Sequence, residues 1–230
     1  TGVQTCALPI FLHGTRFPSG RTREALHAFG SMHMEVVFGQ QLDLLAHEDV
    51  TLTQHLKTGS YTMRGPMALG ALLADLREFS ESEAVYRRAL LAYKDVSPFA
   101  VALVCFQLGM LWGELVPEPD LSRAEQWYRK AVTCLPGYVK ARVHLAEIYT
   151  SCGQLSEAES LLKPALASGD PEVHWRLSAI FAADRRSAEA HAQLAEARSR
   201  FEALLERHLF AFADHGAEFY AGSEIGRAHV

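Results

Sequence analysis

Histidines and cysteines are the residues of this chain whose chemistry could build a metal site or a disulfide. The sequence contains eleven histidines and four cysteines among its 230 residues. No two histidines lie four residues apart, and His208 and His215, which would share a helix face, stand about 10 Å apart along that helix, too far to chelate one ion. The cysteines, at positions 6, 105, 134 and 152, form no Cys-x-x-Cys pair. We therefore expect no metal and no disulfide framework, and thiols that pack between helices.

A second set of candidate residues lies within residues 21–76. This segment contains Gly39-Gln40-Gln41-Leu42-Asp43-Leu44, then Lys57-Thr58-Gly59-Ser60-Tyr61-Thr62, and then Gly65-Pro66-Met67-Ala68-Leu69-Gly70. It resembles the middle of the trans-type isoprenyl (polyprenyl) diphosphate synthases, an all-helical family. The resemblance implies that Lys57 and Thr58 contact an allylic diphosphate and that Gln40 and Asp43 line the adjoining cavity. We assign residues 11–76 to this synthase-like helical fragment.

The magnesium ligands that prenyl transfer requires are missing from the sequence. Ionising an allylic diphosphate needs magnesium held by two Asp-Asp-x-x-Asp clusters, and no Asp-Asp dipeptide occurs here. We therefore expect no catalysis and no cofactor, with magnesium needed only by a complete synthase-like parent. Lys57 has a simpler interpretation as a solvated cation at a helix end. A fragment of a polyprenyl diphosphate synthase, inactive for lack of these motifs, is the alternative function.

A repeat of 34 residues organises the rest of the chain. Ala124 and Ala131 recur as Ala158 and Ala165. Around them, three segments align: Tyr86-Arg87-Arg88-Ala89-Leu90, Tyr128-Arg129-Lys130-Ala131-Val132 and Leu162-Lys163-Pro164-Ala165-Leu166. Upstream, Leu108-Gly109-x-x-Trp112 and Leu145-Ala146-x-x-Tyr149 place a large, a small and an aromatic residue on one helix face. This period and these residue types resemble the tetratricopeptide repeat family.

The resemblance implies an all-α superhelix of antiparallel helix hairpins over residues 67–223, with three to four repeats and the last one truncated. Small residues on both helices allow the two backbones to approach closely, and bulky neighbouring side chains fill the remaining volume. Pro164 is expected to kink its helix, and residues 209–222 to form the first helix of a further repeat. The eight surplus residues between Ala89 and Ala131 are expected in loops at 94–98 and 116–120.

A protein-interaction module is the function that the repeats predict. Stacked hairpins form a concave groove, built mainly from first helices, that binds an extended peptide or a partner helix. Four polar members of otherwise apolar first helices are the candidate groove residues: Gln107, Arg142, Glu147 and Arg176. The alternative is that all four are ordinary solvated side chains. An i, i+4 pair of Glu83 and Arg87 is expected on a solvent-exposed helix face.

The two ends of the chain resemble translated sequencing adapter. Residues 5–10 (TCALPI) and 224–230 (EIGRAHV) can be encoded by strings that are reverse complements of each other over their shared length. We therefore exclude residues 1–10 and 224–230 from the fold. The helix near Leu69 fits both families, so we expect the chain to be a chimeric or truncated metagenomic, bacterial fragment with its junction within about residues 69–79. A natural fusion of the two parts is the alternative.

Charge and hydropathy limit the partners. The net charge of -5 is spread along the chain without a basic stripe, so we expect no nucleic-acid partner. The longest apolar run, from Phe99 to Trp112, is interrupted by Gln107 and is too short to span a bilayer. A cytoplasmic protein that contacts no membrane is the expectation.

Overall fold

Helices make up the described part of the chain. The computed structural model describes residues 65–93 and 97–225, the last three of these as backbone, together with the isolated helical positions Arg23, His27 and Met34. No strand occurs in those residues. The helices in chain order are α1 Gly65–Asp75, α2 Phe79–Ala92, α3 Pro98–Met110, α4 Leu121–Cys134, α5 Val139–Ser151, α6 Leu155–Leu162, α7 Pro171–Ala183 and α8 Ser187–Ile225.

Successive helices pack in pairs as hairpins. The pairs are α1 with α2, α3 with α4, α5 with α6, and α7 with α8. The chain divides into two compact units, residues 1–135 and 136–230, and the described part of each contains two of these hairpins. The predicted all-α, tetratricopeptide-like arrangement of helix hairpins is confirmed.

Glycine opposite tyrosine explains the close approach of the helices in the first unit. Gly70 of α1 faces the ring of Tyr86 on α2, and Gly109 of α3 faces the ring of Tyr128 on α4. A Cβ atom on either glycine would overlap the ring atoms. Both tyrosines are almost completely buried, at 2% and 1% exposure. The small residue on the first helix therefore makes room for the large residue on the second, as the aligned repeats predict.

The hairpin of α1 and α2 packs in the same way, except that a serine replaces one of the small alanines of the repeat. At the place of the small alanines Ala124 and Ala158, α2 carries Ser82, which is fully buried. The Ser82 hydroxyl donates a hydrogen bond of 2.7 Å to the Gly70 carbonyl of α1. Because the hydroxyl is satisfied, a polar residue is tolerated in this core position. The helix that fits both sequence families thus packs as the first helix of a repeat, while the origin of the preceding segment stays a prediction.

A π-helical turn absorbs part of the surplus in the second hairpin. Directly after α3, residues Leu111–Leu115 form a π-helix, and the loop that follows is closed by a 2.8 Å bond from the Asp120 amide to the Trp112 carbonyl. Asp120 then caps α4 by accepting the Arg123 amide at 3.0 Å. The expected loop at 116–120 is confirmed, while residues 94–96 lie outside the described part.

The π-turn also lengthens the apolar helix beyond the expected Phe99 to Trp112 run. By length and composition, residues Pro98–Leu115 could cross a membrane, so the expectation that this apolar stretch is too short is wrong. No other segment of the described residues meets that test. This segment packs against α4 of its own hairpin and against α2 of the preceding one. Its side chains Ala102, Val104 and Leu108 are fully buried there, as in the core helix of a repeat.

Two helix breaks in the second unit match the sequence. The α-helix α6 ends at Leu162, and the next six residues, Lys163–Ser168, form a 3-10 helix, which confirms the expected disturbance at Pro164. In α8, His208 has non-helical angles (φ -142°, ψ 46°). We call residues 209–225 the final helix. It begins where the sequence predicts the first helix of a further repeat.

Candidate functional site

A row of charged side chains joins three helices of the second unit. Arg176 of α7 contacts Glu147 of α5 at 2.6 Å and Glu218 of the final helix at 3.6 Å. We call Glu147, Arg176 and Glu218 the polar row. Two of the four predicted groove residues, Glu147 and Arg176, are thus paired with each other.

An aromatic cluster positions Arg176. The guanidinium lies 3.8 Å from the centre of the Trp175 ring. Trp175 makes edge contacts with Phe201 of α8 (6.4 Å) and Phe219 of the final helix (5.5 Å), which stack on each other at 4.7 Å. Phe201 and Phe219 are buried, and the cation over the tryptophan adds attraction to the packing. The final helix is therefore held to α7 by the same aromatic side chains that fix the arginine.

Two histidines extend the polar row. His215 Nδ1 lies 2.6 Å from Glu172 Oε1, which links the final helix to the first turn of α7. His144 Nδ1 lies 3.6 Å from Glu147 Oε2 on the same helix, α5. The surface formed by these side chains and the polar row carries carboxylates from three helices with a single arginine among them. We call it the first-helix face.

Arg142 lies in a different environment from the polar row. Its Nε donates to the Pro136 carbonyl and its Nη1 to the Leu161 carbonyl, both at 2.6 Å. Burial lowers the pKa of Arg142 from its ordinary value, because desolvation disfavours the charged form. The guanidinium therefore ties α5 to the end of α6, and its role in a groove stays a prediction.

His174 repeats the geometry of Arg142 in the next hairpin. Each precedes a small residue, Ala146 or Ser178, by four positions, and each bonds to the second helix nineteen residues later. The partner of His174 Nδ1 is Gln193 Oε1, at 2.7 Å. This position on the first helix links the two helices of a hairpin.

Gln107, the fourth predicted residue, is half-buried on α3 in the first unit. It precedes Gly109 by two positions, as His144 precedes Ala146 and Arg176 precedes Ser178. Gln107 therefore occupies the repeat position that Arg176, a member of the polar row, and His144, which lies beside the polar row, occupy in the second unit. Its part in binding stays a prediction.

Residues 118–180 match the family model of the tetratricopeptide repeat. Two crystal structures of MamA have a similar fold: one has a TM-score of 0.52 at 13% identity and covers 73% of this chain and 96% of MamA, and the other has 0.50 at 12% identity, with 77% and 94% covered. A third MamA structure gives 0.50 at 17% identity and covers 74% of this chain and 98% of its own. A search of curated proteins finds no matching sequence.

The hairpins of this chain are tetratricopeptide-like repeats. This confirms the family resemblance that the 34-residue period predicts. At these identities the solved structures show the fold alone.

Glutamates on the second helices couple neighbouring repeats. Glu83 of α2 accepts Arg87 Nε at 2.8 Å, as predicted, and both of its oxygens also contact Arg123 of α4, at 2.6 and 2.5 Å. Glu83 is only 9% exposed, whereas Arg87 is exposed, so the expectation of a solvent-exposed pair is wrong for the carboxylate. The reason is that Arg123 from the next hairpin, itself stacked 3.6 Å over the Trp112 ring, covers the carboxylate.

The second unit contains an equivalent coupling. Glu159 of α6 pairs with Lys163 at 2.8 Å and with Arg186, which precedes α8, at 2.7 Å. Hydrogen bonds from Arg186 and then Lys163 lower the pKa of Glu159. Within each unit, then, one glutamate of a second helix binds a cation of its own repeat and an arginine of the following repeat.

The thiols of the repeats are separate from one another. Cys105, Cys134 and Cys152 are free. Cys105 is fully buried on α3, as expected for a packing residue, whereas Cys152 is exposed, so the expectation is wrong for Cys152. Burial raises the pKa of Cys105 to about 11, so this thiol is protonated at neutral pH. Within the residues that the structure describes, no three His, Cys, Asp or Glu side chains are grouped so that they could hold a metal ion.

The synthase-like site residues cannot be placed in this fold. Lys57, Thr58, Asp43 and Gln40 lie outside the described residues, as do residues 1–10 and 226–230. The diphosphate site and the adapter assignments therefore stay predictions. The chimeric junction at residues 69–79 lies within the described residues, but their fold does not test it, so it also stays a prediction.

Sequence reasoning missed Glu172, His215 and Glu218 of the first-helix face. The final helix is predicted as a first helix, so the rule that selects Glu147 and Arg176 also selects His215 and Glu218 there. The signal was present in the i, i+3 spacing of these two polar residues beside the buried Phe219.

Proposed function

We propose that this chain is a non-catalytic tetratricopeptide-repeat module that binds a peptide or protein partner on its first helices. The polar row carries this proposal, since it gathers charged side chains from three helices onto one surface. Repeats of this type stack so that their first helices form a continuous binding surface. A peptide can hydrogen-bond to such a surface and be selected by its side chains.

The proposal includes no catalytic residue, no cofactor and a cytoplasmic location. Its support is the family match over residues 118–180 and the use of Glu83, Glu159 and Arg186 in ion pairs that couple repeats. Nucleic acid and membrane are not among the proposed partners, because the net charge is negative and no basic stripe follows the repeats.

Removing both members of the central ion pair is expected to weaken peptide binding without unfolding the protein. Peptides that bind the full chain are first selected from a library of short random sequences. The double variant Glu147→Ala and Arg176→Ala should then bind the selected peptides about tenfold more weakly, a loss of about 1.4 kcal/mol. Arg142 is left intact, because its contacts are with backbone carbonyls of its own hairpin.

The matched control is an ion pair of the same length on a second helix. Glu125 and Arg129 of α4 lie 2.6 Å apart, and replacing both with alanine should leave peptide affinity within about twofold. Fluorescence anisotropy with labelled peptides measures both variants. Equal losses in the two double variants, or no loss in either, would show that the first-helix face is not the binding surface.

A further inference from the structure

The turn between residues 187–207 of α8 and the final helix lacks the features that end other helices of this chain. Left-handed residues close four turns, at Arg77 (φ 64°), Gly153 (φ 74°), Gly169 (φ 75°) and Arg185 (φ 59°). Prolines lie in the connections from α3 to α4 and from α4 to α5. By contrast, His208 has φ -142°, and no glycine or proline occurs between Pro171 and Gly216. The sequence around His208 therefore permits one continuous helix.

The inner face of α8 keeps its helical phase through this turn. Nine residues of that face follow one another at intervals of three or four positions, which is the spacing of one side of a single helix. They are Ala190, Leu194, Ala197, Phe201, Leu205, His208, Phe212, Gly216 and Phe219. A straight α8 would therefore carry this face without interruption.

The contacts across the turn are symmetric about residue 210. Phe201 stacks on Phe219 at 4.7 Å, and the two lie nine positions before and nine positions after that point. A Cβ atom on Gly216 would lie 2.9 Å from Leu205 Cδ1, and these residues lie six positions after and five before it. In a straight helix Phe201 and Phe219 would be about 27 Å apart, and this face would be uncovered. A second straight helix, antiparallel to the first and crossing it at residue 210, would restore each contact.

We propose that this chain binds a second copy of itself by exchanging the final helix, with His208 as the hinge. In the exchanged dimer α8 is one straight helix, and its last part packs on α7 and α8 of the other copy. The interface is the one that already exists within a single chain, so the exchange needs no new complementary surface. The backbone amides and carbonyls of the two helix ends beside His208 pair within the straight helix, which favours the exchange.

The exchange divides the first-helix face between two copies. Glu172 and Arg176 belong to α7, whereas His215 and Glu218 belong to the final helix. In the dimer each contact between these two groups joins two chains, and the dimer carries two complete faces. This inference goes beyond the proposed function and does not depend on it, because the face consists of the same residues in both forms.

A disulfide at the contact of Leu205 and Gly216 distinguishes the two forms. Because a Cβ atom at Gly216 would lie 3.4 Å from Leu205 Cγ, cysteines at the two positions are close enough to join. The full chain with Leu205→Cys and Gly216→Cys is refolded at low and at high protein concentration, oxidised, and separated on a non-reducing gel. We expect linkage within one chain at low concentration and a covalent dimer joined through positions 205 and 216 at high concentration, identified by peptide mass spectrometry. The single variant Leu205→Cys measures linkage through the native cysteines.

Two substitutions of the hinge should shift the balance in opposite directions. His208→Ala favours the straight helix, whereas His208→Gly favours the turn, because glycine is costly inside a helix. Since each dimer contains two hinges, the dimer dissociation constants of the two variants should differ about thirtyfold after refolding, as measured by sedimentation equilibrium. Circular dichroism checks helicity, and this comparison serves if the cysteine variant loses helicity. Disulfides confined to single chains at every concentration, the absence of a dimer, or equal dissociation constants for the two hinge variants would overturn the exchange.

Discussion

Replacing Gly109 with alanine is expected to destabilise the protein by about 2 kcal/mol, although alanine is the better helix former. The added Cβ would overlap the ring of Tyr128, which is buried between α3 and α4 and cannot swing into solvent. The helices must separate or the ring must leave its rotamer, and both disturb the core of the hairpin. Urea denaturation measures the change in the free energy of unfolding.

Tyr128 should determine that cost. In a Tyr128→Leu background, the same Gly109→Ala change should cost less than half as much, because the branched side chain has no ring at the point of contact. Gly137, whose Cβ would meet nothing within 4 Å, provides the control, and its alanine variant should stay within about 0.5 kcal/mol of the parent. A stabilising Gly109→Ala would mean that α3 and α4 are not packed as described.

Replacing Glu83 with alanine is expected to cost about 2 to 3 kcal/mol of stability. The carboxylate is largely buried and holds Arg87 of its own helix and Arg123 of the next hairpin. Without it, the Arg123 guanidinium is left over the Trp112 ring without its acceptor. A half-buried cation that loses its partner costs more than the ion pair contributes when intact.

The comparison for this variant is Glu125→Ala on α4. Its partner Arg129 is exposed and lies on the same helix, so its loss should cost no more than about 0.5 kcal/mol. Chemical denaturation of the two variants side by side gives the difference. Equal costs would show that Glu83 does not couple α2 to the following hairpin.

The packing of the hairpins could be predicted from the sequence because it depends on local pattern. Gly109, Ala146 and the recurring alanines stand at fixed offsets, and small residues at such offsets leave few ways for two helices to meet. The π-turn at Leu111–Leu115 could not be predicted from a local sequence pattern. The surplus length locates an insertion but does not determine whether a loop or a widened helical turn absorbs it.

The site was only partly predictable because contacts between residues far apart in sequence determine the burial and the partners of a polar side chain. The sequence predicted a solvated Glu83, yet this carboxylate is largely buried and binds Arg123, forty residues later. The sequence pattern placed Arg142 in the same class as Glu147, a polar residue on an apolar first helix. Its guanidinium instead donates to the Leu161 carbonyl, because α6 ends at Leu162 and leaves that carbonyl available. The partners of these side chains are fixed by where helices end and stack, which a single helix pattern does not contain.

Hydrogen exchange of the full chain, with and without a selected peptide, tests the central claim most directly. The bound peptide should slow amide exchange in α5, α7 and the final helix, which carry the first-helix face. Protection confined to α6 and the part of α8 before His208, with none on those three helices, would contradict a binding surface built from first helices.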